Sequence, residues 1–172
     1  DGQDLLWLAE IYTAETHEDN PLVPAGRTRF TFNLVENATW TDGQPLTAED
    51  VAFSLNYYQE GPGNPYGPDL SELASAYASS PYTLIAEFET ESYWHLHSIG
   101  YKPMMPKHTM EEISPEDWHT WNPNPAEEPM VTSGPFTVSE YVAGSFIELS
   151  RNSNYFRSNH YDGGYPEILS AP

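Results

Sequence analysis

The sequence predicts an α+β fold, mostly antiparallel sheet with a few helices, and three observations carry that expectation. Residues 29–34 and 82–89 alternate between apolar and polar side chains, the period of a half-buried strand. Val51, Leu55 and Tyr58 recur at i, i+4 and i+7 behind a threonine suited to capping, the period of a helix. Strands and helices do not alternate as βαβ units, so a doubly wound parallel sheet is not predicted. A chain of 172 residues fits a single domain over 1–172, which at this size buries roughly 70% of its unfolded surface.

Taken in order, residues 1–10 read as a short helix or turn, with Leu5, Leu6 and Leu8 apolar, and 15–26 as a proline-bearing loop. Phe30, Phe32 and Leu34 then share one face of a strand. Trp40 ends an extended stretch, and Asp42-Gly43 supplies a turn pair in which glycine takes positive φ without steric cost. Pro45 stiffens the exit. Thr47 stands at an N-cap, where its hydroxyl can accept from the Asp50 amide, and Glu49 and Asp50 place negative charge at the helix start. That helix runs to about Gln59, where Gly61-Pro62-Gly63-Asn64-Pro65 breaks it.

Residues 69–79 predict a second helix, from the spacing of Leu70, Leu73, Ala74 and Tyr77. Leu84, Ala86 and Phe88 mark the next strand. Residues 93–99 are read as helical and 106–113 as a short helix, followed by a long loop over 114–129. Phe136 to Tyr141 and Phe146 to Arg151 form a hairpin joined at Val142-Ala143-Gly144-Ser145, and the tail from Asn152 is mostly irregular.

Three runs in this order resemble one family. The first is Trp40-Thr41-Asp42-Gly43-Gln44-Pro45-Leu46-Thr47-Ala48-Glu49-Asp50-Val51. The second is Met105-Pro106-Lys107-His108. The third is Ser133-Gly134-Pro135-Phe136-Thr137-Val138, continuing through Gly144, Ile147 to Asn152, and Asn154-Tyr155-Phe156. Together they resemble the family 5 extracellular solute-binding proteins, the peptide- and nickel-binding receptors of ABC importers. The resemblance implies part of the first lobe of a two-lobed, periplasmic-binding-protein-like fold, without the family's opening strand and with the second lobe absent. It also implies a peptide or other small solute as ligand, ABC permease subunits as partners, and no enzymatic activity or cofactor. The place of action would be outside the cytoplasm, with an export signal and lipoprotein-type membrane anchor lying outside these residues.

Charge narrows the partners independently. Twenty-six acidic residues face six basic ones, for a net charge of −20. Such a surface repels nucleic acid and anionic lipid, so neither is an expected partner. At molar salt the Debye length falls to ~3 Å and the self-repulsion of so acidic a chain is screened. Evenly spread acids with just two lysines, Lys102 and Lys107, are read as adaptation to high salt; an ordinary acidic secreted protein is the other reading that composition leaves open. With no cysteine there is no disulfide, thiolate metal site or cysteine nucleophile. No apolar run approaches the roughly 20 residues of a membrane span.

Chemistry is sparse. His95 and His97 stand two apart; on a strand they would point the same way and could share Zn²⁺ or Ni²⁺, giving a metal receptor or metal-dependent enzyme as the alternative function. On a helix they diverge and the alternative fails. Glu87 with Glu89, Glu111 with Glu112 and Glu127 with Glu128 are carboxylate pairs of the sort that chance supplies in so acidic a chain. There is no nucleophile elbow and no phosphate or dinucleotide loop. Aromatic residues are the better binding candidates. Tyr66, in Asn64-Pro65-Tyr66, matches a family position whose tyrosine reaches the cleft of oligopeptide receptors. Ser133 and Gly134, where the lobe would return toward the cleft, complete the expected ligand-binding set, with Trp94 and Tyr101 as further aromatics.

Overall fold

A computed structural model describes residues 8–158 except 122 and 126. The chain divides into two compact units: Asp1–Glu36 with Thr47–Trp121, and Asn37–Leu46 with Asn122–Pro172. We call them the sheet unit and the hairpin unit.

The sheet unit is built on four antiparallel strands, β1 (Ala9–Glu15), β2 (Thr28–Leu34), β3 (Leu73–Ser80) and β4 (Thr83–Phe88), in the order β1-β2-β4-β3. Strict alternation in β2 and β4 has its expected result. Phe30 pairs with Ala86 and Phe32 with Leu84, and all four are buried on one face, together with Leu34 and Phe88. Helix α1 (Ala48–Glu60) lies against β3 and β4, burying Val51, Leu55 and Tyr58 as its predicted stripe. A capping box starts it. The Asp50 carboxylate reaches back to accept from the Thr47 N–H at 2.9 Å and the Thr47 hydroxyl at 3.2 Å.

Two expectations are corrected. Ala9 and Glu10 open a strand, not a helix; residues 1–7 lie outside the described residues. As an edge strand β1 buries little, so no alternation marks it. Residues 69–79 are also mostly strand: a 3₁₀ turn at Pro68–Leu70 leads into β3. A register shift falls between Leu73 and Ser75. It puts Leu73 opposite Phe88 and Ala76 opposite Ala86, so these two share the buried face, whereas Ala74 and Tyr77, which with Leu70 and Leu73 suggest the helix, are exposed. Two α1 side chains cover this edge: Asn56 Nδ2 donates to the Ala76 carbonyl at 2.9 Å, and Gln59 Nε2 to the Leu73 carbonyl at 2.5 Å.

After β4 come the expected short helices, α2 (His95–Gly100) and α3 (Lys107–Met110). Within the predicted loop a 3₁₀ segment forms at Pro115–Thr120, started by Ser114, whose hydroxyl accepts from the Glu116 N–H at 3.4 Å. Trp118 Nε1 donates to the Pro62 carbonyl at 3.0 Å, tying that segment to the end of α1.

The hairpin unit holds strands β5 (Phe136–Val142) and β6 (Phe146–Arg151), as predicted, with Gly144 at φ 73 in the turn. It also holds the Trp40–Leu46 turn. Gly43 takes φ 88, Gln44 N–H donates to Asp42 Oδ1 at 3.0 Å, and Trp40 N–H donates to the Gln44 carbonyl at 2.8 Å. The Asp-Gly pair therefore does what its chemistry suggests. From Asn152 to Ser158 the chain runs in turns, and residues 159–172 lie outside the described residues. Among the described residues no helix is long and apolar enough to cross a membrane.

Candidate solute-contact residues

Tyr66 is positioned by the break that ends α1. Gly63, at φ 70, turns the chain, and Asn64 follows as a buried polar residue. Its N–H donates to the Gly61 carbonyl at 3.0 Å, and its Oδ1 accepts from the Tyr66 N–H at 3.0 Å. Gly67 N–H then donates to the Asn64 carbonyl at 3.1 Å. Gly67 is required by proximity: a Cβ there would sit 2.8 Å from the Tyr58 carbonyl oxygen. This folded-back loop lays the Tyr66 ring 4.9 Å from that of Tyr58, centroid to centroid, and leaves Tyr66 38% exposed.

Tyr58 is the buried partner. Its hydroxyl donates to the Pro103 carbonyl at 2.8 Å. Burial, and secondarily the neighbouring Tyr66, push this phenol well above its ordinary value. The neutral phenol is thus the form that the fold prefers. Its contribution to stability is complete below the unfolded pKa of about 10 and declines as pH rises beyond it. Tyr58→Phe should cost about 1 kcal/mol at neutral pH through the lost hydrogen bond. In urea titrations the gap between variant and parent should narrow above about pH 10. A constant gap would show that Tyr58 titrates as an ordinary tyrosine.

Tyr66 has a second neighbour that sequence reasoning did not single out. Lys102 Nζ stands over the Tyr66 ring, 5.4 Å from its centroid, and forms an ion pair with Asp69 Oδ2 at 2.5 Å. The Lys102 side chain is 4% exposed and that of Asp69 63%. The scarcity of lysine was the one signal in the sequence that could have drawn attention to it.

Ser133 and Gly134 are half-buried in the hairpin unit, whereas Tyr66 belongs to the sheet unit. Asn152, at the end of β6, fixes their turn: its Nδ2 donates to the Gly134 carbonyl at 2.9 Å and its N–H to the Pro135 carbonyl at 2.9 Å. On the other side, Thr41 N–H donates to the Thr132 carbonyl at 2.8 Å, and Thr132 N–H donates to Thr41 Oγ1 at 3.0 Å. The turn is thus pinned from both ends.

The histidine alternative fails on geometry. Because 95–100 is helical, His95 and His97 leave the axis on different sides. His95 is buried, stacked 4.1 Å from Phe88 at an interplanar angle of 11°, with Nε2 3.0 Å from Thr90 Oγ1. His97 instead lies among the rings of Tyr93, Trp94 and Tyr101. Among the described residues no group of three or more His, Cys, Asp or Glu could hold a metal ion. Of the carboxylate pairs, Glu87 is taken by Arg29 in a cross-strand ion pair at 2.7 Å, and Glu111, Glu112, Glu127 and Glu128 are exposed.

The order of fingerprint turn, capped helix and terminal hairpin has a counterpart among known proteins. The profile of the bacterial extracellular solute-binding proteins, family 5 middle, matches residues 14–168. The chain belongs to this family. A Brucella ovis relative, provisionally designated an ABC transporter peptide-binding protein, is 28% identical over 145 residues, which are 81% of this chain and 25% of the relative. An oligopeptide-binding protein of a Thermotoga maritima ABC transporter, crystallised with mannohexaose, is 28% identical at a TM-score of 0.68, covering 91% of this chain and 27% of that one. Bacillus subtilis AppA, an oligopeptide-binding protein crystallised with a nonapeptide, superposes at 0.69 over 88% of this chain and 28% of its own; at 22% identity it shows the shared fold. The family 5 chain thus spans about a quarter of the length of the relatives it matches.

Proposed function

We propose that this chain is part of the first lobe of the solute-binding component of an ABC importer, taking peptides or related small solutes outside the cytoplasm and delivering them to the permease. The family match over residues 14–168 carries the reading. In it, Tyr66, Ser133 and Gly134 contribute to solute contact, the second lobe lies outside these residues, and membrane attachment is through an anchor also outside them. The chain has no reactive centre in this reading. Its net charge of −20 fits work in concentrated salt, where self-repulsion between acidic side chains is screened.

Affinity in a two-lobed receptor comes from closure of both lobes on the solute. The 172-residue chain by itself is therefore expected to bind an equimolar pool of mixed peptides more weakly than micromolar. A receptor extended to the length of its relatives is expected to bind the pool. Isothermal titration of both proteins is the test. Micromolar binding by the short chain would overturn the half-site reading, and no binding by the extended receptor would overturn the peptide reading.

A further inference from the structure

We propose that Lys102 is a positioning residue for Tyr66: its ammonium, anchored by Asp69, holds the tyrosine ring at a fixed attitude for contact with the solute. The proposal rests on the reading that Tyr66 touches solute, and adds a residue to it. An ammonium is costly to desolvate without compensation. Lys107, the other lysine of the chain, avoids that cost by pairing with Glu49 near the surface, its side chain 40% exposed. Lys102 is enclosed instead, and two groups compensate it. The Asp69 carboxylate meets it from the solvent side, and the Tyr66 ring offers its negative face within the roughly 6 Å over which a cation and an aromatic ring attract.

The neighbouring residue completes the clamp. Pro103 accepts the Tyr58 hydroxyl, and the Tyr58 ring lies against Tyr66. Two consecutive residues following α2 thus fix both tyrosines, one through a cation and the other through a carbonyl. The Asn64 turn restrains the Tyr66 backbone as well. A ring held on this many sides loses little freedom when a solute arrives, which strengthens binding without a new contact.

The test uses the full chain carrying ¹³C in its tyrosine rings, with the Tyr66 resonance assigned through Tyr66→Phe. Lys102→Met should displace that resonance, Lys102→Arg should bring it back toward the parent position, and the Tyr12 resonance on β1 should stay put in both. Asp69→Asn changes an exposed carboxylate and should displace Tyr66 in the same sense; it decides the matter if Lys102→Met does not fold. An unmoved Tyr66 resonance in the folded variants overturns the proposal. In the extended receptor, Lys102→Met should weaken binding of the peptide pool about tenfold and Lys102→Arg by less than about threefold. If Tyr66→Ala binds the pool as the parent does, the solute-contact reading fails, while the resonances still judge the clamp. If Tyr66→Ala binds weakly and Lys102→Met does not, the positioning role is overturned.

Discussion

Phe88→Ala is expected to destabilise the sheet unit by about 4 kcal/mol, a large share of the roughly 5–15 kcal/mol that holds a domain folded. Phe88 is 0% exposed at the end of β4, where its neighbours are Thr28 on β2 and Leu73 on β3. Its ring meets Phe30 edge-on at 5.9 Å and stacks on His95 at 4.1 Å. Truncation therefore opens a cavity bounded by two strands and a helix, and strand backbones pinned by ladder bonds on both sides collapse little into it. The cavity term adds to the transfer term for this reason. Phe88→Leu keeps most of the volume and should cost less than about 1.5 kcal/mol. Urea denaturation followed by circular dichroism measures both. An alanine variant within about 1 kcal/mol of the parent would mean that His95 and Leu73 do not pack on this ring as described.

The stack on His95 also shows where the sequence was legible and where it was not. Leu84, Ala86 and Phe88 could be assigned to one buried face because alternation is a local property of a strand with one side in the core. The Asp42-Gly43 turn, the Thr47 cap and the hairpin at Gly144 were legible for the same reason, since each is settled by a few adjacent residues. Leu70, Leu73, Ala74 and Tyr77 were misread because their helical spacing is not a buried stripe: Ala74 and Tyr77 are exposed, and the bulge that brings Leu73 and Ala76 to one face is revealed only by the partner strand. Ile11, Thr13 and the rest of β1 carry no burial pattern to read.

The same division holds for the candidate site. Tyr66 was suggested by the likeness of Asn64-Pro65-Tyr66 to a family position, and the break that carries it by Gly61-Pro62-Gly63. The ring's actual neighbours, Tyr58 eight residues before it and Lys102 thirty-six after it, come together through tertiary packing that no local period encodes. His95 and His97 were ambiguous until their backbone was known to be helical. The family could be read from three short runs because those runs are structural: a turn and cap, a link into α3, and a hairpin with its Asn152 tie.

Asp50→Ala should be the costliest polar change, at about 3 kcal/mol, although Asp50 touches no candidate site residue. Its carboxylate is buried and accepts three hydrogen bonds: from the Thr47 N–H, from the Thr47 hydroxyl, and, through Oδ1, from the Lys107 N–H at 2.9 Å. The first belongs to the capping box, whose loss costs about 1 kcal/mol, and the second ties the cap side chain to the same carboxylate. The third joins α3 to the first turn of α1, and losing it leaves the N–H of half-buried Lys107 without this acceptor, at a further cost of about 1–3 kcal/mol. Ser54 reinforces the same seam, donating to the Asp50 carbonyl at 2.7 Å and accepting from the Met105 N–H at 2.8 Å. Asp50→Asn should fall between parent and alanine, because an amide keeps one acceptor and turns an NH₂ toward groups that are themselves donors. Thr47→Ala combined with Asp50→Ala should cost less than the sum of the single changes, since the threonine hydroxyl bonds to the carboxylate being removed. Strictly additive costs in that double-mutant cycle, or an Asp50→Ala variant within about 0.5 kcal/mol of the parent, would sink the account of Asp50 as the joint between the two helices.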